Sequence, residues 1–120
     1  MHNWQEKYQS KVSTPQDAVN KVKRGKRVFI GSGAAEPQLL VKALSDRGQE
    51  LADTQITHIL TLGVAPYADP KLEDGFRHNA LFIGPNVRDA VAEGRADFTP
   101  VFLSEVPRLF RRGKMPIDVA

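Results

Sequence analysis

The sequence has no cysteine among its 120 residues. This absence excludes disulfides, thiolate zinc ligands and a cysteine nucleophile, so nucleophilic chemistry would need Ser, Asp, Glu or Lys. No apolar run approaches the length of a membrane span, and residues 1–7 lack the apolar core of a signal peptide. We therefore predict a cytoplasmic protein that does not enter a membrane.

Other site signatures are missing as well. The three histidines share no ligand spacing with carboxylates, so no metal site is predicted. His58 lies within an apolar segment and is expected to be an interior histidine. No Gly-Lys-Ser or Gly-Lys-Thr sequence occurs, which excludes the Walker type of phosphate loop.

The composition is that of one globular domain. With 120 residues and 41% hydrophobic content, the chain is long enough to bury a substantial core. The formal charge is +3, and basic residues cluster at 21–27 and 108–114. These clusters can meet phosphates, but we favour the interpretation that they are solvated helix faces and basic residues at helix C-termini.

One loop is the first candidate site. The apolar run at 27–30 ends abruptly at Gly31 and Gly33. Glycine tolerates positive φ and has no Cβ, so the loop permits a tight turn and a close approach of ligand to backbone N–H groups. Pro37 then opens a segment with helical spacing. Ligands of open α/β sheets bind beyond the carboxyl ends of strands, where this loop would lie.

The order of strand, glycine and helix recurs along the chain. We predict strands at 28–30, 56–62, 79–83 and 97–102, and helices at 4–11, 37–46, 86–92, 104–111 and from 15 to Gly25. Thr14 and Ser104 are the expected N-caps, and Trp4 and Tyr8 give the first helix a docking face. The pattern predicts a three-layer αβα fold with a mostly parallel sheet. The apolar segment 115–120 resembles the start of another strand, so we expect a truncated chain and a sheet incomplete at its C-terminus.

The glycine loop is not a good dinucleotide fingerprint. The third glycine of that motif is replaced by Glu36, whose carboxylate would repel a pyrophosphate. Asp53 has the spacing of a ribose-binding acid, but it precedes the second strand instead of following it. A nicotinamide or flavin site is therefore disfavoured.

Several ordered motifs together resemble the N-terminal domain of the acetyl-CoA hydrolase/transferase family. They are GSGAAEP at 31–37, GVAPY at 63–67, and the longer segments 77–88, 93–107 and 116–120. The resemblance is closest to the 4-hydroxybutyrate CoA-transferases and covers nearly the whole chain. It implies that residues 1–120 form an N-terminal domain of this type, with the catalytic C-terminal domain absent.

The resemblance implies an enzyme that moves CoA between an acyl-CoA and a small carboxylate of the acetate or 4-hydroxybutyrate class. The implied route is an acyl-glutamyl anhydride followed by a glutamyl-CoA thioester. The nucleophilic glutamate belongs to the C-terminal domain in this family, so no catalytic residue is assigned here and the chain alone is expected to be inactive. CoA thioester is substrate, no cofactor is permanently bound, and the full-length protein is expected to be a homo-oligomer.

The resemblance also implies that the glycine loop lies near the acyl or carboxylate part of the substrate, so the candidate contact residues there are Gly31, Ser32, Gly33, Ala34, Ala35 and Glu36. Tyr67, Asn79 and Arg88 are further candidates for substrate contact, chosen for their polar side chains beside the predicted cleft. Amides at 32–35 can donate to a carboxylate, helped by the helix that follows. Alternatives to substrate contact stay open. The loop could be a tight turn that binds nothing, and Glu36 could hydrogen-bond the loop or a substrate hydroxyl. Tyr67 could only pack, and Arg88 could only pair with a neighbouring acid.

Two further function classes remain. A stand-alone basic module would bind nucleic acid or acidic partners in a salt-sensitive manner. The near absence of aromatic residues among the basic clusters disfavours it. A short natural subunit that joins a separate catalytic chain would retain the enzyme context.

Overall fold

The computed structural model describes residues 3–120. The helices are α1 Trp4–Gln9, α2 Pro15–Val19, α3 Gln38–Ser45, α4 Pro85–Ala92 and α5 Val106–Arg111. The strands are β1 Arg27–Phe29, β2 Thr54–His58, β3 Phe76–Ala80 and β4 Ala96–Phe98. Short 3-10 turns occupy Gly48–Glu50, Pro66–Ala68, Pro70–Leu72 and Leu103–Glu105.

The four strands form one sheet in the order β1-β2-β3-β4, and each neighbouring pair is parallel. The register places Val28 beside Ile56 and Ile56 beside His78. The predicted final strand is reduced to a single parallel bridge between Val119 and Val28 at the outer side of β1. Because all four strands run the same way, their carboxyl ends meet at one edge of the sheet.

Side chains alternate between two helical layers. Val28 and Ile56 pack in one core with Leu44 of α3 and residues of α2. Phe29 points to the opposite face, where its ring meets Phe110 of α5 edge-on at a centroid distance of 5.5 Å. The sheet therefore lies between α2 and α3 on one side and α5 on the other, which confirms the three-layer α/β prediction.

The predicted helix starts are only partly right. Thr14 caps α2 as predicted, since its hydroxyl oxygen accepts from the amide of Asp17 at 3.1 Å. Ser104 does not cap α5, because residues 103–105 form a 3-10 turn and the helix begins at Val106. Pro107 lies in the first turn, where its missing N–H costs no hydrogen bond.

Several predicted boundaries are wrong, each for a local reason. β2 ends at His58, since the amide of Ile59 turns to the hydroxyl of Ser32 instead of continuing the ladder. β3 begins earlier than predicted, at the buried Phe76. β4 stops before Pro100, which has no N–H for a strand ladder. α2 ends at Val19, before Gly25.

The first helix lies on the surface. α1 buries none of its residues, and Trp4 and Tyr8 are 67% and 61% exposed. Its docking role stays a prediction. Within residues 3–120, no helix has the length and apolar character that crossing a membrane requires.

Candidate functional site

The glycine loop after β1 is tied to the segment that follows β2. The hydroxyl oxygen of Ser32 accepts from the amide of Ile59 at 2.9 Å, and the amide of Gly33 donates to the carbonyl of Leu60 at 2.8 Å. Gly33 has φ +69°, a left-handed conformation that glycine adopts without strain. These bonds hold the loop against the carboxyl-terminal edge of the sheet.

Glu36 makes a second connection between the same two segments. Its side chain is 7% exposed, and its Oε2 accepts from the hydroxyl of Thr61 and, at 3.2 Å, from the amide of Gly63. Glu36 therefore bonds to the segment after β2 and not to its own loop. The other carboxylate oxygen, Oε1, is buried and has no hydrogen-bond partner within the described chain.

Gly63 leaves room for this arrangement. A Cβ at this position would lie 2.5 Å from Glu36 Oε2 and would also collide with the side-chain amide of Gln38. The carbonyl of Gly63 in turn accepts from the side-chain amide of Asn86 at the start of α4. A side chain larger than hydrogen would therefore disturb the loops that follow three successive strands.

Some backbone donors of the loop remain available. In residues 3–120, no backbone carbonyl accepts from the amides of Ser32, Ala34 or Ala35. Ala34 and Ala35 are exposed, and α3 begins shortly afterwards at Gln38. The amide of Gly33 is already engaged, so the donors available to an anion are fewer than the sequence indicated.

Three aromatic side chains form a buried cluster, two of them histidines of the sheet and the third a tyrosine of the 64–75 loop. His58, Tyr67 and His78 are 0%, 1% and 2% exposed, and the His58 and His78 rings are 4.3 Å apart. The Tyr67 ring centroid is 5.5 Å from that of His78 and 6.1 Å from that of His58. His58 is interior as predicted, although neither ring nitrogen has a partner in the part of the chain described.

Burial decides the protonation of this cluster. Burial first, and the neighbouring His78 second, lower the pKa of His58 to about 3. Burial also lowers the pKa of His78 to about 4, against a hydrogen bond of 2.9 Å between Nδ1 and the Ile56 carbonyl. Burial first, and the charge of Glu36 second, raise the pKa of Tyr67. Both imidazoles are therefore neutral and the phenol is protonated at neutral pH.

The remaining predicted contact residues lie apart from the loop. Asn79 points to the opposite sheet face, where its Oδ1 accepts from the hydroxyl of Thr99 at 2.9 Å. Arg88 lies exposed on α4 and has no ion pair among residues 3–120, whereas the nearby Glu93 pairs with Arg95 at 2.5 Å. The structure thus joins residues 31–36 to the segment after β2, places Tyr67 in the buried cluster with His58 and His78, and leaves Asn79 and Arg88 outside.

Sequence reasoning missed Thr61 and Gly63. Only Gly63 had a signal, since it follows the second apolar run as Gly31 follows the first. Beside these residues, a cleft of about 810 Å³ opens between the 62–69 segment and α4. Its polar lining includes Asp69, Asp89 and Arg95. No group of three His, Asp or Glu side chains in residues 3–120 is arranged to hold a metal ion.

A parallel sheet between helical layers, with its loops joined at the carboxyl edge, defines an α/β domain of the class in which ligands bind at that edge. The particular family is also shown. The chain belongs to the acetyl-CoA hydrolase/transferase family, since residues 1–120 match its N-terminal domain. This finding confirms the resemblance inferred from the motifs.

Known relatives agree with this assignment. The chain is 41% identical over 117 residues to the 4-hydroxybutyrate coenzyme A transferase of Clostridium kluyveri, covering 98% of this chain and 27% of that protein. It is 48% identical over 101 residues to a succinyl-CoA:acetate/propanoyl-CoA:succinate CoA transferase of Fasciola hepatica, covering 82% and 21%. The chain thus spans about a quarter of the length of these relatives.

Solved structures share the fold. A 4-hydroxybutyrate CoA-transferase from Porphyromonas gingivalis superposes with a TM-score of 0.73 at 28% identity, covering 98% of this chain and 26% of that one. RipA from Yersinia pestis superposes with a TM-score of 0.83 at 24% identity, covering 97% and 29%. The likeness to RipA concerns the fold alone.

Proposed function

We propose that this chain is the N-terminal part of a CoA-transferase that moves CoA between an acyl-CoA and a small carboxylate of the acetate or 4-hydroxybutyrate class. Family membership and the CoA-transferase names of the relatives support CoA transfer in general. Among structural observations, the proposal rests on the loop at 31–36, which is held at the sheet edge. Ala34 and Ala35 are exposed there, and their amides donate to no backbone carbonyl of residues 3–120.

The proposed reaction proceeds by double displacement. A glutamate carboxylate attacks the thioester carbonyl, CoA thiolate leaves, and an acyl-glutamyl anhydride forms. The thiolate then attacks the glutamyl carbonyl, the first carboxylic acid leaves as carboxylate, and a glutamyl-CoA thioester remains. The second acid reverses both steps, so one difficult exchange becomes several easier ones.

The attacking glutamate is proposed to lie in the part of the protein outside this chain. Glu36, the buried glutamate at the loop, is poorly suited to attack, because its Oε2 accepts two hydrogen bonds and 7% of the residue is exposed. We assign it a binding-site role instead. No glutamate of residues 3–120 is assigned as the nucleophile.

The loop is proposed to bind the oxygen atoms of the substrate. The amides of Ser32, Ala34 and Ala35 can donate to a carboxylate or to the oxyanion of a tetrahedral intermediate. Helix α3 begins at Gln38, directly after the loop, and its N-terminus adds positive potential to the loop. Direct substrate contacts by Tyr67, Asn79 and Arg88 stay predictions.

The setting of the reaction is also proposed. CoA thioester is a substrate, and this acyl-transfer chemistry requires no permanently bound cofactor. The remaining polypeptide, or a partner chain, would supply the second wall of the site. A cytoplasmic homo-oligomer fits these substrates, and neither nucleic acid nor a membrane is required.

Isotope exchange tests the proposal. The protein as its source makes it is incubated with acetyl-CoA and labelled acetate or 4-hydroxybutyrate, and label entering the thioester pool is followed by mass spectrometry. We expect exchange with double-displacement kinetics and a CoA adduct on a glutamate outside residues 1–120. An adduct within residues 1–120 would contradict the placement of the nucleophile. Salt-sensitive nucleic-acid binding without exchange would instead support the basic-module alternative.

A further inference from the structure

A second pocket opens at the carboxyl edge of the sheet, beyond β3 and β4. Its volume is about 350 Å³, within the range of pockets that hold small molecules. Two of its lining residues directly follow β3, one ends β4, and three follow β4. All of them are apolar: Leu81, Phe82, Phe98, Pro100, Val101 and Phe102. The pocket therefore suits an apolar group and offers no side-chain charge to a phosphate or a carboxylate.

The lining of this pocket combines a buried side chain with two exposed aromatic ones. Leu81 is 1% exposed and packs in a core with Val106 and Met115. Phe98 and Phe102, in contrast, are 47% and 81% exposed. Exposed apolar clusters of this kind mark ligand grooves or interaction surfaces, and aromatic side chains contribute much of the binding energy when they are covered.

The pocket and the glycine loop lie at the same edge of the sheet. The loop at 31–36 follows β1, whereas the strand order β1-β2-β3-β4 places the pocket at the ends of β3 and β4. Neighbouring strands are about 4.8 Å apart, so two to three strand spacings, roughly 10–14 Å, separate the two sites along the edge. A ligand that contacts both sites must span this distance.

The pantetheine arm of CoA has this length and carries one bulky apolar group. It is a chain of amide and methylene units that leads from the thiol sulfur to a carbon with two methyl groups. About ten bonds separate that carbon from the sulfur, and an extended peptide-like chain gains about 3.3–3.6 Å for every three bonds, which gives about 11–12 Å. A thioester whose carbonyl lies at the glycine loop can therefore bring its dimethyl carbon to the pocket.

We propose that the pocket beyond β3 and β4 binds the dimethyl group of the pantetheine arm of CoA while the glycine loop holds the thioester carbonyl. Phe98 and Phe102 then cover the two methyl groups, and Leu81 closes the pocket on its buried side. The inference rests on the proposed function, because it takes a CoA thioester as the ligand. The alternative occupant is a polypeptide segment packed on the same side chains.

Saturation-transfer NMR of the protein as its source makes it tests this contact without turnover. CoA is added, and transfer from the protein to the dimethyl protons is compared in the wild type and in Phe102→Ala. We expect strong transfer in the wild type and loss of most of it in the variant. Leu103→Ala is the matched control, since Leu103 is 61% exposed beside the pocket but does not line it, and this change should leave the transfer as it was. Dimethyl transfer that is absent in the wild type, or that survives Phe102→Ala, would overturn the proposal.

Two thioesters of different length provide a kinetic test. Acetyl-pantetheine carries the dimethyl group, whereas the acetyl thioester of N-acetylcysteamine ends before it. We expect Phe102→Ala to lower kcat/KM for acetyl-pantetheine about tenfold, because two methyl groups lose their apolar contact, and to lower it several-fold less for the shorter thioester. An equal change for both thioesters, or none, would overturn the proposal, and an equal fall would indicate a polypeptide packed on Phe102. Absence of turnover in the wild type would refute the proposed function, whereas the NMR contact would still report on the pocket.

Discussion

Acidification from pH 8 to pH 5 is expected to lower the free energy of unfolding by about 4 kcal/mol, because two buried histidines resist protonation in the folded state. Burial lowers the pKa of His58 to about 3 and that of His78 to about 4, whereas an unfolded histidine has a pKa of about 6.5. At pH 5 the unfolded chain therefore gains about 2 kcal/mol from protonating each ring, and the folded chain gains almost nothing.

The sign and the pH window follow from these pKa values. The folded-state pKa of each histidine is lower than its unfolded pKa of about 6.5. Its contribution to the free energy of unfolding is therefore fully present above pH 6.5 and is lost as the pH falls towards the folded-state pKa. The loss should approach about 1.4 kcal/mol per pH unit for each histidine below pH 6. Asp97 and Asp118 also have lowered pKa values, through hydrogen bonds to Arg77 and to the Arg27 amide respectively, but carboxyl groups contribute mainly below pH 5.

Urea unfolding followed by circular dichroism at pH 8, 7, 6 and 5 measures the effect. His78→Asn keeps a polar group near the Ile56 carbonyl without titrating, and His58→Leu removes the other ring. Each single variant should lose about half of the pH dependence, and the double variant should lose most of it. A double variant as sensitive to pH as the wild type would refute the reasoning.

The remaining predictions concern local contacts. Gly63→Ala should lower the free energy of unfolding by about 1–3 kcal/mol, because its methyl group would lie 2.5 Å from the buried, hydrogen-bonded Oε2 of Glu36. Gly31→Ala adds a methyl in ordinary contact, and equal effects of the two variants in urea unfolding would contradict this. Thr14→Ala should cost about 1 kcal/mol by removing the cap that accepts from the Asp17 amide, and Thr14→Ser should restore it in thermal melts; no recovery with serine would argue against the cap.

Local patterns predicted much of the fold. The recurrence of apolar run, glycine and helical spacing indicated a parallel α/β sheet, and Thr14 followed by Pro15 correctly marked a helix start. Strand ends were predicted poorly. β2 ends where Ile59 bonds to Ser32, a partner 27 residues away that no local pattern reveals.

The candidate site, like the fold, was predictable from the sequence only where a local pattern marks it. The glycine loop at 31–36 was found because two glycines after an apolar run are a local signal. The position of Asn79 on the opposite face depends on strand register, since a shift of one residue reverses every side chain. Thr61 was missed, because a threonine is not distinctive until its partner, Glu36, is known.

The sequence by itself determined the family, the alternation of strands and helices, and the loop at the end of β1, because these depend on short motifs and on spacing along the chain. The tertiary structure alone decided that Glu36 joins two loops. That role arises from contacts across about 25 residues or more, which form only when parallel strands bring their carboxyl ends to one edge.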